Sequence, residues 1–334
     1  MEFFYQAAML TYKQIIEKID QLEEANILLA ALQLRIFSIL DDKTLSSGAI
    51  ARQANAQPLE TEMLLNALAA MGALVKKTGR FKNTSETYKH FCESSPHYKK
   101  GLVKLRSENR EEWSQLLETI REGRDPAQHD AEDDPESRWF FTHAMHERSA
   151  FYSGKVSDCI ARKQVGRLLD LGGGPGSYSA AILKKDKKAT ATLLDRPVTI
   201  KVAKEILKTS ATFSRFEFVE GDLFETDYGR QFDTILYSNI LHIYNPQENK
   251  LLFKKIHRSL KSGGRFILVD LFLKKNKTEP YDAALFSLTM LMFTATGKTY
   301  TFQETEALLK KSGFGSIRKF ALEGGSSLME AVKK

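Results

Sequence analysis

The residues of this chain with the clearest chemical potential are glycines and acids at the ends of apolar runs. Leu168, Leu169 and Leu171 form a short apolar run around Asp170. Gly172, Gly173, Gly174 and Gly176 follow, leaving Pro175 as the one side chain in the turn. Such an apolar run reads as a buried parallel strand. Residues 178–183 read as the next helix, with Ser177 as its N-cap. Glycines here tolerate positive φ and let backbone amides approach a ligand closely. Strand, glycine turn and helix open a doubly wound α/β domain, whose ligands sit beyond the carboxyl ends of the strands.

The spacing discriminates between ligands. A dinucleotide fingerprint, G-x-G-x-x-G, would put its last glycine on Ser177 or Ser179. The pattern is G-x-G-x-G instead, and it resembles the first motif of class I S-adenosylmethionine (SAM) methyltransferases. The next strands fit that ligand. Residues 189–195 read as a second strand ending in Asp195, whose carboxylate can accept both ribose hydroxyls of an adenosine. Residues 216–224 read as a third strand. There Asp222 would face the adenine amino group, with Leu223 and Phe224 packing on the ring. Residues 232–242 give a fourth strand running into a helix or turn, with His242 at its end. On its own that histidine reads as a cap. Residues 264–273 give a fifth strand, introduced by a turn at 261–264.

Other elements must hold these in place. Residues 3–40 read as helical, and so apolar an end needs a partner surface, a second copy of the chain being the simplest. Residues 36–88 look like a winged helix. Ser46 or Ser47 caps a helix at 48–55, and a helix at 58–71 puts Met63, Leu64, Leu68 and Met71 on one face before Gly72 ends it. A hairpin at 73–84 turns at Thr78-Gly79. A DNA-binding protein would send the 58–71 helix into the major groove. Its polar side carries Glu60, Glu62 and Asn66 and no Arg or Lys, whereas phosphate contact needs cations. A dimerisation or lid module is the expectation, with no nucleic-acid partner.

Residues 99–121 read as an amphipathic helix. The acidic stretch 122–137, with two prolines and His129, reads as a solvated loop rather than a metal site. Residues 138–162 read as a connecting helix clustering Trp139, Phe140, Phe141 and Met145. A Met- and Phe-rich helix at 281–296 and a helix at 301–311, with Gly313 as its left-handed cap, come next. A closing antiparallel pair, 316–322 and 327–332, turns around Gly324-Gly325.

A chain of 334 residues suggests two domains. The net charge of +7 lies in scattered lysine doublets such as Lys184-Lys185 and Lys187-Lys188, as expected of solvated helix faces. Cys92 and Cys159 form no metal pair or disulfide framework and suit a reducing cytoplasm. Met1-Glu2 does not begin a secretory signal. The apolar stretch 27–40 contains Gln33 and Arg35 and is too short for a bilayer, so no membrane is expected.

Over nearly its full length the chain resembles the small-molecule O-methyltransferases that include the plant caffeate enzymes, hydroxyindole O-methyltransferase, and bacterial polyketide and pigment methyltransferases. DLGGGPG and GDLF match its cofactor motifs. LHIYNPQENKLLFKKIHRSLKSGGR matches its catalytic helix, and GKTYTFQETEALLKKSGF its late signature. The resemblance implies a class I methyltransferase doubly wound sheet with a terminal antiparallel hairpin, preceded by an all-helical/winged-helix dimerisation domain. The implied bounds are 1–98 for dimerisation, 99–160 for connecting helices and 161–334 for the SAM domain. It implies a homodimer acting on a hydroxyl of a small aromatic acceptor.

By position, Gly172, Gly174, Asp195, Asp222, Leu223, Phe224 and Ser238 would bind SAM, with Ser149 at its amino-acid end. Phe141, Met145, Met290 and Phe293 would line the acceptor. His242 would be the general base and Asp270 the acid that orients it, with no metal. Two departures stand out. His242-Ile243-Tyr244 replaces the frequent His-Asp-Trp, and Thr299 stands where Glu often follows Gly-Lys. The missing carboxylate keeps a second enzyme reading open, C-methylation of a tetrapyrrole or 2-oxo acid. A SAM-binding winged-helix regulator is a third.

Overall fold

The structure is a computed structural model and describes residues 9–108, 110–124, 134–322 and 326–334. The aromatic residues 1–8, most of the acidic loop with His129, and the Gly324-Gly325 turn lie outside the described residues. The chain separates into two units, Met1–Glu108 and Asn109–Lys334.

In the first unit, α1 (Tyr12–Gln33) starts at a capping box, with Thr11 and Gln14 satisfying each other's amides. The single helix expected over 3–40 is broken. Arg35 takes φ 56°, which an α-helix cannot continue through, and α2 (Ile36–Leu40) follows. β1 (Leu45–Ser46) leads into α3 (Ser47–Gln53), capped by Ser46. α4 (Pro58–Ala70) begins on a proline, which loses nothing at that position. Its buried face is Thr61, Leu65 and Leu68, while Met63 is exposed. Of the expected face, Leu68 is buried and Leu64 packs against the same core, while Met63 turns outward, because this helix is apolar on more than one side. β2 (Leu74–Lys77) and β3 (Arg80–Asn83) turn through Thr78 and Gly79, both at positive φ, the two-residue geometry that matches strand twist. β1 adds to β3. α5 (Ser85–Phe91) and α6 (Lys100–Glu108) complete the unit, so α6 belongs here and not to the connecting helices.

The second unit opens with α7 (Arg110–Ser114), α8 (Leu116–Glu122), α9 (Pro135–Ser149) and α10 (Ser153–Ile160). The helix expected at 99–121 is thus interrupted at Gln115, between α7 and α8, and that expected at 138–162 is two segments, since short breaks leave the apolar period nearly undisturbed. The chain then alternates β4 (Arg167–Leu171), α11 (Ser177–Lys185), β5 (Thr190–Asp195), α12 (Pro197–Leu207), β6 (Phe216–Glu220), β7 (Phe232–Ser238), α13 (Pro246–Ser259), β8 (Leu260–Leu273) and α14 (Tyr281–Phe293). It closes with β9 (Tyr300–Thr301), α15 (Phe302–Lys311), β10 (Phe314–Ala321) and β11 (Ser326–Lys333).

The main sheet runs β10-β11-β8-β7-β4-β5-β6, with β9 beside β8. β6, β5, β4, β7 and β8 are parallel, and β11 returns antiparallel to β8. From β4 the chain winds outward to β5 and β6, then crosses back to β7 on the other side. The carboxyl end of β4 is therefore the switch point where a crevice opens. Leu168, Leu169 and Leu171 are fully buried, as a strand covered on both faces requires. The turn expected at 261–264 is absorbed into β8, whose Leu260 pairs with Phe232 before a register shift, and Gly263 takes φ 72°.

Candidate active site

The glycine turn after β4 has two faces. Gly172 has φ 61°, a backbone that favours glycine, and a Cβ there would stand 2.6 Å from Cδ1 of Ile240 and push that side chain aside. Gly174 has φ 56°, and a Cβ there would meet nothing within 4 Å. It faces open space. Ser177 does not cap α11: Gly176 occupies the cap position at φ 71°, outside the extended region a side-chain cap needs. The Ser177 hydroxyl instead lies 2.8 Å from Nδ1 of His146 on α9.

Asp195 closes one side of that space. Its Oδ2 accepts the Gly174 amide at 2.8 Å and its Oδ1 the Arg196 amide at 2.8 Å. Burial pushes its carboxyl pKa up, opposed by these two amides. The Thr199 side chain bonds to the carboxylate as well. An open position over a glycine beside such a carboxylate fits a ribose diol, which needs acceptors and no intervening side chain.

The amide of Gly221 donates to the Asp195 carbonyl at 3.0 Å and brings the next loop alongside. Asp222 is exposed there, its Oδ1 accepting the Phe224 amide at 2.6 Å. Leu223 is buried, its Cδ1 3.6 Å from the Cβ position of Gly172. Phe224 packs edge-on against Tyr244, centroids 5.1 Å apart. The pKa of the Tyr244 hydroxyl is pushed up to about 12, by burial first, with Arg196 opposing and Asp222, Glu248 and Asp195 adding. Tyr244, to which sequence reasoning gave no role, thus packs against the loop that carries Asp222 and Phe224. Lys255 of α13 clasps the same loop, its Nζ donating to the carbonyls of Leu223 at 2.9 Å, Thr226 at 3.0 Å, and Phe224.

Beneath the turn, Asp170 is fully buried. Its Oδ2 accepts from the Ser179 hydroxyl at 2.5 Å, and its Oδ1 has no partner among the described residues. Burial pushes its pKa up to about 7, the Ser179 bond opposing and Asp195 adding.

Ser238 is buried at the end of β7. Ser149 ends α9, and its hydroxyl donates to the His146 carbonyl at 2.7 Å, so it can offer a ligand only acceptor lone pairs. Phe141 is 41% exposed and lies under the Arg138 guanidinium, while Met145 is half-buried. On α14, Met290 is buried and Phe293 meets Trp113 edge-on at 6.0 Å.

His242 sits in a 3-10 turn, Leu241–Ile243, just past β7. Its Nδ1 lies 2.7 Å from Oδ1 of Asp270 on β8. The imidazole residue is 8% exposed and the aspartate 1%. The Leu271 amide donates to the same Oδ1 at 2.7 Å, pinning the carboxylate. A carboxylate can only accept, so Nδ1 carries the proton and Nε2 the lone pair. The ring stacked edge-on against the imidazole, at 4.8 Å, belongs to Phe286 of α14, to which sequence reasoning gave no site role.

A parallel sheet with a reversed terminal pair, opening at a glycine turn flanked by an acid, defines a class I methyltransferase that uses S-adenosyl-L-methionine. The comparisons with known proteins carry this further. The O-methyltransferase domain matches residues 113–315 and the O-methyltransferase dimerisation domain residues 16–90, so the chain belongs to the O-methyltransferase family.

Among its relatives, the tetracenomycin polyketide synthesis 8-O-methyl transferase TcmO of Streptomyces glaucescens is 26% identical over 90% of this chain and 91% of that one. Acetylserotonin O-methyltransferase of Bos taurus is 25% identical over 88% and 90%. The solved structure of PigF with SAH matches with a TM-score of 0.86 at 26% identity, covering 97% of this chain and 100% of that one. Among the described residues no helix is long and apolar enough to cross a membrane.

Proposed function

We propose that this enzyme methylates a hydroxyl of a small, flat aromatic acceptor, with His242 as the general base. The observation that carries the reading is the buried 2.7 Å pair of His242 and Asp270, which leaves Nε2 as the free basic nitrogen. When bound, SAM supplies a methyl group already activated on a sulfonium. What this chain must add is alignment of the acceptor, exclusion of water and a place for the hydroxyl proton. A phenol keeps its proton at neutral pH. Nε2 of His242 takes that proton, and Asp270 fixes the tautomer and stabilises the imidazolium that forms.

Asp195 and Asp222 would hold the nucleoside at ribose and adenine, with Gly172, Gly174, Leu223 and Phe224 around it. Ser238 and Ser149 would serve the amino-acid end. Phe141, Met145, Met290 and Phe293 would line the acceptor, and Phe286 would present its edge beside the base. Relatives named for naphthoate, polyketide and acetylserotonin methylation support an aromatic acceptor. We read the protein as a cytoplasmic homodimer, whose exposed α1 side chains Tyr12, Ile19 and Leu22 give it an apolar face to pair through.

The test is transfer of labelled methyl from SAM to a panel of phenols, hydroxyquinones, porphyrins and 2-oxo acids. Ether products from phenols are expected. His242→Ala should lower their formation about 10²- to 10⁴-fold. Full turnover in that variant, or methylation on carbon, would overturn the assignment.

A further inference from the structure

We propose that Asn249 is a positioning residue for His242, holding the turn that aims the imidazole; this rests on the reading of His242 as the base. The turn Leu241–Ile243 does little to hold itself, with one bond from the Ile243 amide to the Ile240 carbonyl. Its carbonyls are held from outside. Nδ2 of Asn249 donates to Leu241 O at 2.9 Å and to Tyr244 O at 2.9 Å, on either side of His242. The carbonyl of His242 itself accepts the Lys298 amide at 2.9 Å. Tyr300 Oη donates to Tyr244 O at 2.6 Å and lies 3.2 Å from Asn249 Nδ2. Tyr237 Oη donates to Asn249 Oδ1 at 3.0 Å, which fixes the way the amide faces.

The pattern of α13 makes this placement informative. Leu252, Phe253 and Ile256 form its buried stripe, and Asn249 extends that stripe by one turn toward the N-terminus. Helical periodicity calls for an apolar residue there. Asparagine is a poor helix former and costly to bury unless its amide is fully bonded. Here Asn249 is fully buried with both ends of its amide bonded. Two of its bonds go to the carbonyls of Leu241 and Tyr244, which bracket His242, beyond what helix packing requires, and a longer one, 3.2 Å, goes to Asn245 O at the helix's own cap. Gly297 closes the same turn from the other side, where a Cβ would collide with the carbonyl oxygens of His242 and Ile243. With these carbonyls fixed, the Cα–Cβ direction of His242 is set before the ring meets Asp270.

The experiment reads the imidazole directly and needs no acceptor. The full-length protein carrying ¹⁵N-histidine is saturated with S-adenosylhomocysteine, and the Nδ1–H resonance of His242 is identified by its absence in His242→Gln. In the wild type it is expected downfield and protected from exchange by Asp270. Asn249→Asp keeps the side-chain size but faces two carbonyls with a carboxylate oxygen. It should lose that resonance to rapid exchange while still binding S-adenosylhomocysteine. Tyr300→Phe is the milder variant and decides the matter if Asn249→Asp does not fold; it should shift the same resonance upfield. An unchanged resonance in a folded variant overturns the proposal. Full methyl transfer by His242→Ala would remove the base reading instead, so the two failures are distinguishable.

Discussion

The amide of Gly174 and Oδ2 of Asp195 are joined by a 2.8 Å hydrogen bond across 21 residues of chain. This bond ties the glycine turn after β4 to the acid that ends β5. Asp195 therefore shapes the turn, beside the ribose contact proposed for its carboxylate. Asp195→Ala should weaken SAM binding at least about tenfold, since hydrogen bonds to a charged acceptor are worth about 1.5–3 kcal/mol each. Asp195→Asn should lose less, because its oxygen can still accept the Gly174 amide. Calorimetric titration with SAM checks both, and an unchanged affinity in Asp195→Ala would exclude the ribose contact.

Asp270 offers a cleaner separation of chemistry from binding. In Asp270→Asn the side-chain oxygen stays with the Leu271 amide and Nδ1 of His242, but the negative charge is gone. The imidazolium then forms without its counter-charge. Turnover should fall about a hundredfold to a thousandfold, within the range general-base catalysis contributes. SAM affinity should be unchanged, because Asp270 is not among the residues proposed to hold SAM. Steady-state kinetics with any phenol accepted by the wild type, alongside SAM titration, measures the two effects.

Lys255 braces the loop after β6, proposed to hold the adenine, through three carbonyls. Lys255→Met keeps the stem and removes the donors. Urea unfolding should register a loss of about 1–3 kcal/mol, the scale of a few lost hydrogen bonds partly replaced by water. The KM for SAM should rise while acceptor KM stays put, since the loop carries Asp222, Leu223 and Phe224. Equal changes in both constants would argue against a local brace.

Asp170 sets a pH dependence of stability. Its pKa is about 7 when folded, raised by burial, and near 4 in an unfolded chain. Between those values the folded chain holds a proton that the unfolded chain has released. Stability therefore falls as pH rises through that window and levels off above it. The contribution is at most about 4 kcal/mol, at 1.36 kcal/mol for each pKa unit. Asp170→Asn should flatten this part of the profile. Urea titrations of both proteins across the window, compared by difference, test it.

Much of the cofactor side is legible from the chain alone. β4 and β5 are buried central strands, so they appear as apolar runs, and they end where the ligand must approach, on Gly172 and on Asp195. The reversed pair β10–β11 and the hairpin through Thr78 and Gly79 are local and carry their own turn chemistry. The helix breaks at Arg35 and between α9 and α10 are not legible, because two or three residues of altered backbone barely disturb a 3.6-residue period.

The acceptor side divides in the same way. The amino-acid order determined that a glycine turn, Asp195, Asp222 and His242 would come after successive strands, since local hydrophobic patterning and turn residues specify strands and their ends. The resemblance implied that Asp270 orients His242; only the tertiary structure decided that its Oδ1 meets Nδ1, that Phe286 sets its edge against the ring, and that Asn249 binds the carbonyls of Leu241 and Tyr244. Those partners come from β8, α14 and α13. Which side chains of three separate elements converge is settled by how the elements pack, and periodicity within any one of them carries no record of it.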